Sequence, residues 1–288
     1  MRPSVLGALG AIVVIGGLAI WLAGTHRIGN RQAGLSEDSS AERTAAATSD
    51  LPAMVRKLPA DISQRILARQ ALFLQMMGNL LAEPGSLFLL VDKDHPLAPD
   101  YEPADLVPLS DYSLSLTRKD LVLRKLIMPA VTTMANAAAA DGVSLVFAST
   151  YRSYAYQRVV YDREVKLYGK TMADRESAVP GASQHQLGTA IDFNPISDDF
   201  GRTRASAWLV AHAEEYGFSL SYPKGYEAVT GYRYESWHYR YITPAGTRMQ
   251  REFFDDVQQY LLEFLHDNYA SFAGSDTPAA GTAPPAGG

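Results

Sequence analysis

Hydrophobic and polar positions divide this chain into a globular middle and two ends of a different character. Residues 3–25 carry no charged side chain, and residues 5–24 are apolar or small over about the length of a helix that crosses a bilayer. Residues 29–50 are rich in Ala, Ser, Thr and charged residues and show no periodicity. The pattern predicts a transmembrane signal anchor over residues 1–28, a flexible linker over 29–50 and a disordered Ala-, Pro- and Gly-rich tail over 271–288.

The apolar run could instead be a cleavable signal peptide. Such a peptide usually has a shorter apolar region that ends in a small-x-small cleavage site, and residues 21–23, Trp-Leu-Ala, form a poor one. An uncleaved anchor is therefore the favoured interpretation. Arg27 and Arg31 follow the run and outnumber Arg2 before it, so the charges alone do not decide the orientation.

The middle of the chain alternates between helical and strand patterns. Residues 51–85 have apolar positions at near-helical spacing, such as Ile62 and Ile66, which predicts a helical extension of one or two helices. Residues 86–270 mix short apolar runs with amphipathic stretches, which predicts one domain of mixed α and β structure. Its predicted strands cover residues 87–91, 143–149, 187–193, 218–222 and 234–242. Its predicted helices cover residues 118–140, 154–167, 204–216 and 243–269, with a polar loop over 170–182. Pro129 predicts a kink or a break in the first helix.

Composition narrows the possible functions before any motif is considered. The net charge of −5 shows no basic surplus, and no basic cluster alternates with aromatic residues as a nucleic-acid groove would require. The chain has no cysteine, which excludes disulfides and any cysteine-ligated metal site. The absence of cysteine does not fix the compartment.

Three residues form a candidate metal site. His185, Asp192 and His238 together supply two imidazoles and one carboxylate, which is a typical ligand set for a catalytic zinc that keeps its fourth position open. Glu235 precedes the last ligand by three residues, close enough on a strand or tight turn to serve as a general base without binding the metal.

The other histidines considered have simpler interpretations. His95 precedes a proline and has no acid partner at metal spacing, so a structural role is expected. His212 is expected to be a surface or packing residue, and His266 a residue of a last helical turn.

Three ordered motifs carry a resemblance to a known family. A pattern S-x-H-x-x-G-x-A-x-D is matched in full by residues 183–192, a pattern E-x-x-H by residues 235–238, and a pattern Y-R-S-x-x-x-Q by residues 151–157. With these motifs the chain resembles the zinc D-alanyl-D-alanine carboxypeptidases of the VanY type, within the superfamily that also holds the hedgehog-like proteins. The resemblance covers about residues 86–243.

The resemblance implies a fold and a set of roles. The expected fold is α+β, with a central antiparallel sheet that carries one zinc ion and with flanking helices. Glu235 would be the general base, and Arg152 would stabilise the oxyanion of the tetrahedral intermediate. Ser183 would help to bind the C-terminal carboxylate of the substrate, and Gln157 would hold a loop or contact the peptide.

The resemblance also implies a substrate and a location. The substrate would be the peptide stem of peptidoglycan or its precursor, cut at the terminal D-alanine on the outer side of a bacterial cytoplasmic membrane. Two other functions stay open at this point. One is cleavage of the L,D bond of a shorter stem, and the other is a non-catalytic cell-wall-binding protein with a vestigial metal site.

Overall fold

The computed structural model describes residues 50–273. The predicted anchor, residues 29–49 of the predicted linker and the predicted tail after residue 273 lie outside the described residues. Asp50, the last residue of the predicted linker, is helical. Within residues 50–273, no helix combines the length and the hydropathy that a bilayer-spanning segment needs. The tail was predicted to begin at residue 271, but the last helix continues to Ala273.

A five-stranded sheet lies at the centre of the described chain, in the strand order β2-β4-β5-β7-β6. Its strands are β2 (Ser115–Leu116), β4 (Val146–Ser149), β5 (Ala190–Phe193), β6 (Phe218–Leu220) and β7 (His238–Tyr241). The pairs β4–β5, β5–β7 and β6–β7 are antiparallel, as predicted. The prediction is wrong at the β2 edge, where β2 pairs parallel to β4. A parallel pair needs a crossover connection, and the chain between these two strands includes a helix that can supply one.

The described chain is helical at residues 50–54, and nine α-helices follow between residues 60 and 273. They are α1 (Ala60–Ala68), α2 (Gln70–Leu81), α3 (Met128–Ala140), α4 (Tyr154–Tyr168), α5 (Lys170–Glu176), α6 (Arg204–His212), α7 (Glu227–Thr230), α8 (Thr243–Phe253) and α9 (Gln258–Ala273). Short 3-10 turns occupy Val55–Lys57, Gly85–Phe88, Leu109–Asp111, Lys125–Ile127, Gln184–Leu187, Asp198–Arg202 and Ala213–Tyr216. The α+β class is therefore confirmed.

The predicted helix over residues 118–140 is wrong in its first half. Residues Val122–Arg124 form strand β3, which pairs antiparallel with β1 (Leu106–Pro108) in a separate two-stranded sheet. Helix α3 begins only at Met128, and Pro129 lies in its first turn. Proline fits there because the first N–H groups of a helix have no partner within the helix.

The predicted strand over residues 87–91 is also wrong, although its apolar side chains are buried. Residues Gly85–Phe88 form a 3-10 turn instead. The carbonyl oxygens of Leu87 and Leu89 accept hydrogen bonds from Nη2 of the buried Arg240, at 3.1 and 2.7 Å. The apolar run over residues 87–91 therefore indicates burial and not a strand, and its backbone carbonyls bind the side chain of Arg240 in β7.

Two further boundaries differ from the predictions. The predicted loop over residues 170–182 contains helix α5. The predicted helix over 243–269 is two helices, α8 and α9, because Asp255 and Asp256 adopt positive φ angles of 52° and 59° between them. A left-handed backbone cannot continue an α-helix.

Two hydrophobic cores hold these elements. One core joins the sheet to α3 and α6, through residues such as Phe147, Phe193 and Trp208. The second, which we call the terminal core, packs α1 and α2 against α8 and α9. Within it Phe73 contacts Phe253 edge-on at 5.2 Å between ring centroids. Helices thus occupy the segment where helical spacing predicted an extension, and they pack on the C-terminal helices.

Candidate metal centre and active site

His185 is held by the 3-10 turn Gln184–Leu187, which lies directly before β5. The Oγ atom of Ser183 accepts a hydrogen bond from the His185 backbone N–H at 3.3 Å. The turn ends at Gly188, whose φ of 67° is left-handed and whose added Cβ would come within 3.0 Å of Arg124 and Leu106 side-chain atoms. The turn therefore needs glycine at this position.

The ring of His185 is oriented by a backbone carbonyl. Its Nδ1 atom lies 2.7 Å from the carbonyl oxygen of Thr150, so Nδ1 carries the proton and donates it. The other nitrogen, Nε2, then faces the Oδ2 atom of Asp192 at 3.0 Å. This arrangement leaves the Nε2 lone pair free for a metal.

Asp192 and His238 meet across the centre of the sheet. They are direct partners in the antiparallel pair β5–β7, and directly opposite residues share a face of the sheet. The Nδ1 atom of His238 lies 2.9 Å from Oδ1 of Asp192. One ligand atom from each of His185, Asp192 and His238 falls within 4.8 Å of the others, and all three residues are buried.

The protonation states of the group suit a metal. Burial lowers the pKa of His185 to about 4, which favours the neutral imidazole. Burial alone would raise the pKa of Asp192, but the neighbouring His185 and His238 hold it below its usual range. A neutral imidazole and an ionised carboxylate are the forms in which these side chains bind zinc. The structure therefore brings the predicted metal ligands together.

Glu235 lies in the turn before β7, because the strand begins at His238 and the predicted strand start at residue 234 is wrong. The Glu235 backbone N–H donates to the carbonyl of Tyr222 at 3.2 Å. Its Oε2 atom lies 3.8 Å from Nδ1 of His238. Burial, assisted by the charge of Asp192, raises the pKa of Glu235 well above its ordinary value. Its carboxylate is thus close to the metal group and binds a proton readily.

Arg152 follows β4 and points toward the same group. Its Nη1 donates to Oε1 of Gln157 at 2.8 Å and its Nη2 to Oγ of Ser149 at 2.9 Å. Nη2 also lies 3.9 Å from Oδ2 of Asp192. The buried Gln157 donates in turn to the carbonyl of Ala178 at 2.6 Å. Gln157 therefore fixes the guanidinium of Arg152 and links it to the following loop.

One cavity of about 310 Å³ contains every predicted site residue. Its lining includes Arg152, Gln157, Ser183, His185, Asp192, Glu235 and His238. The polar lining can bind the end of a peptide, orient a water and exchange protons. The roles assigned to these residues stay predictions, while their grouping in space is observed.

Sequence reasoning missed several residues that border the metal group. The ring of Tyr222 lies 4.8 Å from that of His238, and Tyr222 lines the cavity. Gln184 contacts His238 directly. The place of Gln184 between Ser183 and His185 in the motif was an available signal, whereas Tyr222 carried no motif.

Within residues 50–273, the histidines outside this site have their own partners. His95 has a local acid partner, since its Nδ1 and its backbone N–H both bind Oδ1 of Asp92, at 2.8 and 2.9 Å, which fits the predicted structural role. This contact closes a turn, and the ring of His266 lies 4.7 Å from that of His95. His212 packs against Trp208 and binds Glu215.

Comparisons with known proteins agree with this geometry. The sequence profile of the VanY family, described as D-alanyl-D-alanine carboxypeptidase, matches residues 120–244. A putative carboxypeptidase, YodJ of Bacillus subtilis (strain 168), is 38% identical over 169 residues, which cover 56% of this chain and 62% of that protein. The chain therefore matches less than two thirds of this relative's length.

Solved structures extend the comparison to the fold. The LdcB LD-carboxypeptidase matches with a TM-score of 0.54 and 34% identity, over 61% of this chain and 84% of that one. The D,D-pentapeptidase VanY of the VanB-type resistance cassette, in complex with Zn(II), matches with a TM-score of 0.50 and 28% identity, over 62% and 99%. Fold and site together define a domain of the metal-dependent carboxypeptidase type. The chain belongs to the VanY family of D-alanyl-D-alanine carboxypeptidases, as its motifs predicted.

Proposed function

We propose that this protein is a zinc-dependent D-alanyl-D-alanine carboxypeptidase that removes the terminal D-alanine from peptidoglycan stem peptides or their precursors. One observation carries the proposal: the His185–Asp192–His238 group, Glu235 and Arg152 line the same cavity. The Zn(II) in the related VanY pentapeptidase supports zinc as the metal. A vestigial, non-catalytic site is disfavoured because the base and the guanidinium are present beside the ligands.

The residues divide the chemistry among them. His185, Asp192 and His238 would hold zinc, which polarises a carbonyl and acidifies a water when it is bound. Glu235 accepts a proton from the water as the water oxygen attacks the terminal peptide carbonyl carbon. The same carboxylate then donates this proton to the nitrogen of the departing D-alanine as the C–N bond breaks.

The substrate ends are bound by neighbouring groups. Arg152 donates to the carbonyl oxygen as negative charge develops there, and its bonds to Ser149 and Gln157 hold the guanidinium in place before the reaction. Ser183 lies beside His185 on the cavity wall and supplies a hydroxyl for the substrate's terminal carboxylate. A site that binds a free carboxylate selects chain ends, which is consistent with a carboxypeptidase.

A second candidate activity is the release of D-alanine from a tetrapeptide stem, where the bond is L,D. The LdcB LD-carboxypeptidase favours it, because its 34% identity exceeds the 28% of the VanY pentapeptidase. Mass spectrometry after incubation with pentapeptide and tetrapeptide stems separates the two. We expect the pentapeptide to lose one alanine residue. Loss from the tetrapeptide alone would reassign the specificity, and no loss from either would reject the proposed activity.

We also propose that the chain is anchored in a bacterial cytoplasmic membrane with its catalytic domain on the outer side. The uncharged run over residues 3–25 supports an anchor, and the proposed substrate lies outside that membrane.

A further inference from the structure

We propose that Gln184 is a positioning residue that fixes the ring of His238 for metal binding. The inference rests on the proposed function, since it takes the His185–Asp192–His238 group to be a zinc site. Gln184 itself is not a ligand. It contacts His238 on the side of the ring that faces away from Asp192.

The two nitrogens of His238 face different partners. Nδ1 lies 2.9 Å from Asp192 Oδ1 and belongs to the metal group, while Nε2 lies 3.2 Å from Oε1 of Gln184. A neutral imidazole has one lone pair and one N–H. When Nδ1 presents its lone pair to a metal, Nε2 carries the proton and needs an acceptor. His238 is 3% exposed, so the amide oxygen of Gln184 is that acceptor.

The amide of Gln184 is itself fixed by two further hydrogen bonds. Oε1 also accepts from Oγ of Ser221 at 2.7 Å, and Nε2 donates to Oε1 of Gln258 at 3.3 Å. A flipped amide would set its NH₂ group against the Nε2–H of His238. Once Nε2 carries the proton, the amide oxygen of Gln184 therefore faces the imidazole, and this orientation leaves the Nδ1 lone pair of His238 free.

The two histidine ligands are oriented by different kinds of partner. His185 donates to the backbone carbonyl of Thr150, which no substitution removes. His238 donates to a side chain. Replacing Gln184 is therefore a direct way to change metal affinity without touching a ligand, and loss of such an outer partner typically weakens metal binding about 10–100-fold.

The test compares zinc affinity across three full-chain variants, by competition with a chromophoric chelator. Gln184→Leu should weaken zinc binding about 10–100-fold. Gln186→Leu is the matched control, because Gln186 is buried on the same turn and donates to the carbonyls of Ala98 and Tyr101, at 3.0 and 3.1 Å. It should leave the zinc affinity unchanged.

Gln184→Glu should restore zinc affinity to within a few-fold of wild type. Its carboxylate can accept from both His238 and Ser221. Gln258 can turn its Nε2, which has no hydrogen-bond partner among residues 50–273, toward the new carboxylate. Rescue by Glu distinguishes a hydrogen-bond acceptor from a residue that merely fills space.

Several results would overturn the proposal. Wild-type affinity in Gln184→Leu would do so, as would equal losses in Gln184→Leu and Gln186→Leu, or a failure of Gln184→Glu to recover. If Gln184→Leu does not fold, ¹⁵N NMR of the His238 ring in zinc-loaded wild type tests the proposal instead. We expect zinc on Nδ1 and a proton on Nε2. Zinc on Nε2 would contradict the proposal. Zinc affinity is measured without substrate, so a protein that binds zinc but releases no D-alanine rejects the proposed function alone.

Discussion

Replacing Glu235 with Gln tests the catalytic role of this site without removing a metal ligand. Gln keeps the length and shape of the side chain and loses the basic carboxylate. The carboxylate lies 3.8 Å from Nδ1 of His238, which is close enough to reach a water beside the metal group. Zinc content should stay near wild type, because His185, Asp192 and His238 are unchanged.

The expected loss of rate follows from what else lines the cavity. General acid–base catalysis typically contributes about 10²–10⁴-fold, or about 2.7–5.4 kcal/mol of barrier. Glu164 and Glu176 also line the cavity, but they are ion-paired with Arg163 and Arg233. Neither of these two glutamates is free to replace Glu235. Because Glu235 handles both proton steps, we expect kcat to fall by about 10⁴ in Glu235→Gln.

The assay measures D-alanine release from a pentapeptide stem at saturating and limiting substrate. KM should change less than kcat, because proton transfer is an interaction of the transition state. A Glu235→Gln variant with near-normal kcat would show that another group activates the water. A variant that loses zinc would show that Glu235 is a ligand and that the proposed ligand set is wrong.

Three other predictions concern stability, the oxyanion and the anchor. Burial raises the pKa of Glu235 in the folded state above its ordinary 4.5, so the metal-free wild type loses stability as pH rises from that value. Metal-free Glu235→Gln should therefore melt at a higher temperature than metal-free wild type at pH 7. An equal or lower melting temperature would contradict the raised pKa. Arg152→Lys cannot bind Gln157 and Ser149 together, so kcat should fall about 10²–10³-fold at constant zinc content, and an unchanged kcat would remove its role. The full chain should fractionate with membranes, while a shortened chain that keeps residue 50 onward should be soluble and active; a shortened chain that still pellets with membranes would count against the anchor.

The metal group could be predicted from the sequence because its chemistry depends on residue type and short spacing. His185 and Asp192 lie at the start and the end of one turn-strand unit, and His238 begins a strand. Their actual meeting depends on the β5–β7 register, which pairs Asp192 with a residue 46 positions away. A resemblance between motifs implied this pairing, whereas local periodicity could not.

Residues that support the site from a distance could not be predicted in this way. Gln184 meets Gln258 across 74 positions, and both are buried polar residues whose partners come from separate elements. Arg240 follows the E-x-x-H motif, where a basic residue is ordinarily solvated. It is instead fully buried, and burial lowers its pKa to about 10. Its bonds to the carbonyls of Leu87 and Leu89 explain why an apolar segment that resembled a strand does not join a sheet.

Prediction from local apolar spacing failed most clearly where a proline sets the boundary of a helix. Apolar spacing runs through residues 118–140, but Pro129 fits the first turn of a helix and not its interior. The preceding residues Val122–Arg124 are then available to pair with β1. Pro129 was the signal for this break, and the strand before it becomes evident only from its distant partner.

The most direct experiment measures zinc content and D-alanine release together on the same samples of the purified full chain. We expect about one zinc per chain, loss of both zinc and activity on chelation, and recovery of both when zinc is restored. His185→Ala and His238→Ala should lack both. Full activity in a zinc-free protein, or stoichiometric zinc retained by both alanine variants, would contradict the central claim that His185, Asp192 and His238 hold the catalytic metal.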